Sequence, residues 1–264
     1  MTKLIEAQAK VLADEPVDIY AAYPFDEFVH KHGTTKRRGI FGYFVHYFGR
    51  LIVGGDYAEG ATLPNEPDLV AKYGISRTVI REAMKCLAGK GLVKIRTRIG
   101  TSVRPRKSWH HLDPDVVVWY YETGPSLEIM RSIKDLRIVL EPAAAVRAVE
   151  RASSADIADI RDAFTIMENS IGDHEANADA DLAFHTAIFS ATKNMIYSQL
   201  IDLIAVAIYA NRVISTPEAV VEGQKRSLPY HRDVLVAIEA RNATEAAAAS
   251  QRLVESWRNE MYDF

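Results

Sequence analysis

The stretch Leu63-Pro64-Asn65-Glu66-Pro67-Asp68-Leu69-Val70-Ala71-Lys72-Tyr73-Gly74-Ile75-Ser76-Arg77-Thr78-Val79-Ile80-Arg81-Glu82-Ala83-Met84 most narrows what this chain can become. Two short apolar-periodic segments flank Tyr73-Gly74-Ile75, a turn tight enough to set one helix across the next. Ser76 occupies an N-cap position, so Arg77, Thr78 and Arg81 fall in the first turns of the second helix. Gly89-Lys90-Gly91 stops that helix. Residues 92–96 and 101–105 then read as two strands around a turn at Arg98-Ile99-Gly100. The pattern over residues 50–107 predicts a helix-turn-helix that ends in a basic hairpin, or wing, with Arg96 and Arg98 at its edge.

A helix presented this way enters the major groove of DNA, and the charge distribution agrees. Residues 36–108 carry fifteen Lys/Arg and five Asp/Glu, a net of +10 in a chain whose total is −3, which leaves −13 for the remainder. A basic segment inside an acidic protein is the footprint expected when one domain touches phosphate and another does not. Arg77 and Arg81 can bridge guanine O6 and N7, and Thr78 can reach phosphate or a thymine methyl.

A length of 264 residues leaves room for two domains with cores of their own. No apolar run approaches the roughly 20 residues that span a bilayer, and Met1–Asp14 lacks the apolar centre of a signal peptide, so the expected compartment is cytoplasmic. A single cysteine, Cys86, excludes an intramolecular disulfide framework and reads as a small buried hydrophobe on the second helix.

The expected organisation has four parts: an N-terminal extension over 1–35, the winged domain over 36–108, a linker with a short helix over 109–124, and an all-helical domain over 125–264. In the winged domain a further helix is expected near 38–53, with Ile40, Phe44, Phe48, Leu51 and Ile52 as its apolar stripe. The linker, Trp109-His110-His111-Leu112-Asp113-Pro114-Asp115, opens a helix over 116–122. Its Trp109 and Trp119 could pack between domains. Adjacent His110 and His111 point apart and suit packing or solvent better than a metal. Beyond Pro125 the pattern is helical throughout, near 126–150, 154–171, 174–192, 195–214, 217–240 and 243–262, with Ser153, Asn194 and Asn242 at caps and Pro142 and Pro229 as kinks or restarts. The fold class is therefore mainly α: a winged helix-turn-helix followed by a bundle of six to seven helices.

These residues resemble the GntR superfamily of bacterial transcription factors. The resemblance runs through Gly60–Leu63-Pro64, Ile75-Ser76-Arg77-Thr78-Val79-Ile80-Arg81-Glu82-Ala83, Gly91-Leu92-Val93 and Gly100-Thr101-Ser102-Val103. The helical half resembles the FadR-type (FCD) branch through Leu136-Arg137…Leu140-Glu141-Pro142, Asp181-Leu182-Ala183-Phe184-His185…Asn194 and His231…Ala237-Ile238. Within that branch, Trp109…Leu112-Asp113-Pro114-Asp115-Val116…Trp119 is similar to regulators of galactonate and related sugar-acid operons. The resemblance implies DNA contacts from Arg77, Thr78 and Arg81, with Arg96, Arg98 and Gly100 in a wing that enters the minor groove. Many relatives carry a basic residue after the motif's Glu; Pro67 stands there in this chain, and Lys72, Arg96 or Arg98 would have to compensate.

The effector site is the second constellation. Asp181 and His185, four apart on one helix, share a face and can grip one divalent ion such as Zn²⁺, Ni²⁺ or Mn²⁺. The resemblance places His231 as a further ligand. Metal-binding relatives carry another histidine 22 residues on, where this chain has Leu253. Three ligands could leave room for a chelating hydroxy acid; alternatively the ion is gone and the histidines bind the effector directly. Arg137 is the candidate for the effector carboxylate, its alternative being an i,i+4 pair with Glu141. Asn211 and Arg212 are further effector-lining candidates.

These readings converge on a ligand-responsive regulator of transcription, a repressor, acting as a homodimer on double-stranded operator DNA and sensing a small carboxylate, with a sugar acid first and other carboxylates second. A helical metallohydrolase built on Asp181, His185 and His231 is the enzymatic alternative. No motif identifies its general base.

Overall fold

The computed structural model describes residues 39–124, 127–214 and 217–256, and it divides into two compact units at Thr123/Gly124. The expected extension over residues 1–35 lies outside the described residues.

In the first unit, α1 (Gly39–Val53), α2 (Glu66–Tyr73) and α3 (Arg77–Gly89) precede β1 (Val93–Arg96) and β2 (Gly100–Val103), and α4 (Pro114–Thr123) closes it. Phe44, Phe48 and Ile52 recur at the helical period on α1 and are buried with Ile80, Met84 and Leu87 of α3. Phe44 and Phe48 lie 4.9 Å apart between ring centroids, and Tyr73 packs edge-on against both.

The turn between α2 and α3 is closed by local chemistry. Asn65 caps α2 by accepting from the Asp68 N–H, and Pro67 sits in the first turn, where a missing N–H costs nothing. Gly74 ends α2 in the left-handed region at φ 63°, where a side chain would be strained. Ser76 Oγ accepts from the Val79 N–H and starts α3.

β1 and β2 pair antiparallel, Val93 opposite Val103 and Arg96 opposite Gly100, so Thr97, Arg98 and Ile99 form the hairpin tip. Arg98 takes φ 64° and Gly100 φ 115°, which turns the chain within those three residues. The segment before α2 adds a third edge: Leu63 N–H donates to the Thr101 carbonyl, and the Val103 N–H to that of Ala61.

Residues 109–123 pack into this same unit. Trp109 Nε1 donates to the Arg104 carbonyl, and Trp119, almost wholly buried, donates from Nε1 to His46 Nδ1 on α1. Lys90, just past α3, reaches Asp113 at 2.8 Å and Asp115 at 2.7 Å. Burial alone would lower the Lys90 ammonium, but the two carboxylates outweigh it and hold it above its ordinary value. His111 Nδ1 lies 2.8 Å from the Tyr120 hydroxyl, while His110 is exposed. Cys86 is half-buried, and burial raises its thiol.

The second unit is helical throughout its described residues: α5 (Leu127–Arg151), α6 (Ser154–Asn169), α7 (His174–Ala191), α8 (Met195–Gln199), α9 (Ile201–Ile214), α10 (Pro217–Glu239) and α11 (Ala243–Ser256). The single helix expected over 195–214 is two, broken at Leu200, whose N–H bonds three residues back to Tyr197 rather than four. Neither Pro142 nor Pro229 ends its helix. Ser153 forms a capping box with Asp156, and Asn194 and Asn242 cap α8 and α11. Arg241 fastens the end of α5 by donating to the carbonyls of Val149 and Ala152. Ala144, Ala145 and Ala148 of α5 and Ala246 and Ala249 of α11 are buried, and their small side chains let those two helices pack closely. Around them Ile160, Phe164, Phe184, Ile188, Val234, Ile238 and Val254 complete the core.

Gly49 is a tight point in the packing of α1 on α4, because a Cβ placed there falls 2.5 Å from the Trp119 ring. The buried ring has nowhere to retreat. Gly49→Ala is expected to destabilise the unit by about 1–3 kcal/mol, seen as a lower midpoint in chemical denaturation followed by tryptophan fluorescence.

Candidate functional site

Each unit presents one candidate surface. On the first, Arg77 and Thr78 stand exposed in the opening turn of α3, where free backbone N–H groups and the positive end of the helix dipole add to their attraction for phosphate. Arg81, one turn on, is exposed and held by Glu66 of α2 through Nε at 3.2 Å and Nη2 at 2.9 Å. That forked contact lowers the Glu66 carboxyl below its usual range. Arg96, Arg98 and Gly100 are exposed on the wing, and Ile99 at its tip is 71% exposed. The Glu66–Arg81 pair has a signal in the sequence, a carboxylate at the first position of α2, but only the helix crossing brings it to Arg81.

In the second unit the residues meet in a cavity between α5, α7, α9, α10 and α11. Arg137, His174, Asp181, His185, His231 and Leu253 are among its lining residues. Its atom-free space is about 800 Å³ counting the mouth, of which about 80 Å³ is open to the centre of a water molecule. That is room for several waters or a compact polar ligand, and too little for a long acyl chain.

Asp181 and His185 come from one face of α7, one turn apart, and His231 comes from α10. One ligating atom from each lies within 4.8 Å of the others. Asp181 Oδ1 is 3.3 Å from His185 Nε2 and 3.3 Å from His231 Nε2. The far side of each ring fixes what the near side offers. His231 Nδ1 lies 3.0 Å from the Ser227 carbonyl, which can only accept, so Nδ1 carries the hydrogen. His185 Nδ1 faces Glu141 Oε2 at 3.3 Å, and the other oxygen of that carboxylate takes the Arg137 Nε–H. Both rings, when neutral, therefore turn an Nε2 lone pair towards a carboxylate oxygen.

With both rings neutral, three electron-rich atoms face one another, a clash that a bound cation or a proton on an imidazole relieves. The orphaned groups say the same: Asp181 Oδ1 and His231 Nε2 are both buried without a hydrogen-bond partner. Burial alone would raise the Asp181 carboxyl, but hydrogen bonds and charge from the two imidazoles in their protonated form more than reverse that and hold it well below the usual carboxylate range, so the carboxylate stays charged and attracts a cation. Asp181, His185 and His231 thus fit a divalent ion, with Glu141 in the outer position that orients a ligating imidazole. Leu253 lines the same cavity and is buried, so the position of the further histidine is filled by apolar surface.

Arg137 pairs with Glu141, the alternative weighed for it from sequence, and the same side chain borders the cavity. The side chains of Asn211 and Arg212, on α9, lie outside the described residues. Sequence reasoning gave Glu141 to Arg137 alone and missed its approach to His185. It also passed over His174, whose place on the Asp181 and His185 face, seven and eleven residues before them, was readable as helical spacing.

Comparisons with known proteins match both halves of the chain. Residues 46–103 match the family described as bacterial regulatory proteins, gntR family, and residues 132–256 match the FCD domain. The galactonate operon transcriptional repressor of Escherichia coli K12 is 36% identical over 152 residues, covering 58% of this chain and 66% of that protein, just under two thirds of its length. The HTH-type transcriptional regulator YieP of the same organism is 29% identical over 209 residues, 78% of this chain and 88% of that protein. The solved structure of Lar, titled as controlling the expression of the Listeria monocytogenes agr system, superposes with a TM-score of 0.53 at 17% identity, over 84% of this chain and 99% of that one, and shows the fold. The chain belongs to the GntR family and couples its helix-turn-helix domain to an FCD domain. It is a transcriptional regulator and not an enzyme, which removes the metallohydrolase alternative. Among the described residues no helix is long and apolar enough to cross a membrane.

The orienting role of Glu141 can be read directly. Glu141→Gln keeps the shape but replaces the carboxylate that faces His185 Nδ1 with a neutral amide, and is expected to lower affinity for Ni²⁺ or Zn²⁺ by about 10–100-fold in isothermal titration. His185→Ala removes a ligand and abolishes binding in the same assay.

Proposed function

We propose that this regulator is a repressor of a sugar-acid catabolic operon, that it binds a palindromic operator as a homodimer, and that a galactonate-like effector binds in the cavity of its helical unit. The observation that carries the reading is the convergence of Asp181, His185 and His231 inside a small polar cavity that Arg137 also lines. A divalent ion held by those three side chains would supply Lewis-acid positions suited to the carboxylate and adjacent hydroxyl of a hydroxy acid. Arg137 adds a cationic wall, since its charge is shared between Glu141 and the cavity. The similarity to a galactonate operon repressor supports a sugar acid as the first class to test.

At the other end of the chain, Arg77, Thr78 and Arg81 read base edges and phosphates. Glu66 holds the Arg81 guanidinium in a fixed plane before DNA arrives, which limits the entropy lost on binding. Arg96, Arg98 and Gly100 carry the wing into the minor groove. Two recognition helices must lie about one turn of DNA apart, and a two-fold dimer supplies that spacing. Effector binding then favours one dimer geometry over another, and DNA affinity changes by the difference.

A second reading, in which the effector is another small carboxylate, is favoured by the cavity's modest size, which excludes bulk but does not by itself choose a carbon skeleton.

Both halves can be tested on DNA selected from a random pool by the full chain. Fluorescence anisotropy should show galactonate weakening that complex by at least about ten-fold, a coupling of ordinary allosteric size. Arg77→Ala should cost about 1–3 kcal/mol on the selected sequence and relax the preference at one base position. DNA affinity indifferent to every aldonate and uronate would contradict the sugar-acid reading.

A further inference from the structure

The cavity carries polarity at two ends. Among its described lining residues, the buried polar atoms without a hydrogen-bond partner are Asp181 Oδ1, His231 Nε2 and His174 Nδ1. The first two belong to the convergent site, and the third does not. His174 is absent from the cluster whose ligating atoms lie within 4.8 Å of one another.

Two stripes set the spacing. On α7 the cavity is lined by His174, Asn177, Ala178, Asp181 and His185, and on α10 by Val220, Gly223, Gln224, Arg226, Ser227 and His231. Both follow the same helical period, and the contacts put them in the same direction. The Gly172 N–H, just before α7, donates to Gln224 Oε1 at 3.0 Å, while Asp181 meets His231 further along both helices. Seven residues separate His174 from Asp181, a rise of about 10.5 Å along α7.

The neighbouring polar side chains at this end already have partners, Arg226 among them. Asn177 Nδ2 donates to the Met167 carbonyl and Ser170 Oγ, Gln224 Oε1 accepts from Gly172, and Ser227 Oγ donates to the Gln224 carbonyl. An imidazole edge sealed from water with no partner is costly. Rotation about χ2 turns that nitrogen towards the cavity without moving the helix.

We propose that His174 is the contact for the distal end of the effector, and that its distance from the Asp181–His185–His231 end selects acids with a chain of about six carbons. This deepens the sugar-acid reading and rests on it. The seven bonds from a carboxylate oxygen to the terminal hydroxyl of an extended six-carbon acid span about 8 Å, taking about 3.4 Å for every three bonds of extended chain. With a hydrogen bond at its far end, such a molecule anchored at one end of the stripe meets the imidazole at the other. A three-carbon hydroxy acid anchored the same way does not. His174 can donate to, or accept from, a terminal hydroxyl, and Gly223 facing the path leaves space for the carbon chain.

The test is isothermal titration of the full chain, preloaded with Ni²⁺, with galactonate, threonate and lactate, in wild type, His174→Ala and His174→Gln. Wild type is expected to favour galactonate over lactate by at least ten-fold. His174→Ala should weaken galactonate by about ten-fold, the worth of one hydrogen bond of ordinary strength, and leave lactate and Ni²⁺ binding unchanged. His174→Gln keeps a donor and an acceptor and should recover part of the loss; it also decides the matter if the alanine variant does not fold. Equal weakening of galactonate and lactate, or unaltered selectivity in both variants, would overturn the role of His174 alone. Wild type that binds none of the three acids would overturn the sugar-acid reading, and this inference with it.

Discussion

One imidazole N–H held from behind by a carbonyl, and a second ring nitrogen backed by a carboxylate, set up the chemistry of the helical unit. The Ser227 carbonyl takes the hydrogen of His231 Nδ1, and the Glu141 carboxylate, anchored in turn by Arg137, faces His185 Nδ1. When the rings are neutral, the Nε2 atoms then present lone pairs to a carboxylate oxygen 3.3 Å from each. An arrangement of mutually facing acceptors is unfavourable by itself and strongly favourable around a cation. The helices that carry it are held by apolar packing and by side-chain caps such as Arg241 on the end of α5. The interior therefore spends stability gained elsewhere on keeping a binding site open.

The first unit is organised by a different kind of contact. Trp119 of α4 lies against Gly49 of α1 so closely that the glycine cannot carry a side chain, and its indole N–H is fixed by His46. His46 and Arg50 both meet Glu122, so α1 and α4 are joined by a buried charged cluster as well as by packing. Lys90 does the same at the end of α3, where loss of its charge would strand the buried Asp115. Recognition helix and following segment thus share side chains. A force on residues 113–122 is felt at the C-terminal end of α3, while the N-terminal end with Arg77 and Thr78 stays open to solvent.

Much of this was legible in the sequence because it is local. The Ser76, Ser153, Asn194 and Asn242 caps, the glycine turn at Gly74, the hairpin around Arg98 and the four-residue spacing of Asp181 and His185 are all decided within a few residues. The break at Leu200 was not, because residues 195–214 keep a continuous helical pattern and only one N–H changes partner. Glu141 looked like the i,i+4 partner of Arg137, which it is; that its second oxygen lies against His185 depends on how α5 packs on α7. His174 escaped because a histidine at a helix start has many ordinary explanations, and its significance comes from a cavity closed by four other helices. What packing decides, periodicity alone does not reveal.

The chemistry of the helical unit turns on whether a cation sits between Asp181, His185 and His231. Anomalous diffraction from crystals of the full chain, grown after exchange into Zn²⁺ or Ni²⁺ and measured on both sides of the metal's absorption edge, addresses it most directly. A single strong anomalous peak per chain, within coordination distance of one Asp181 oxygen and of both Nε2 atoms, is the predicted result. Density for a water or nothing at that point, with Asp181 turned away and both imidazoles donating Nε2–H to other groups, would contradict it.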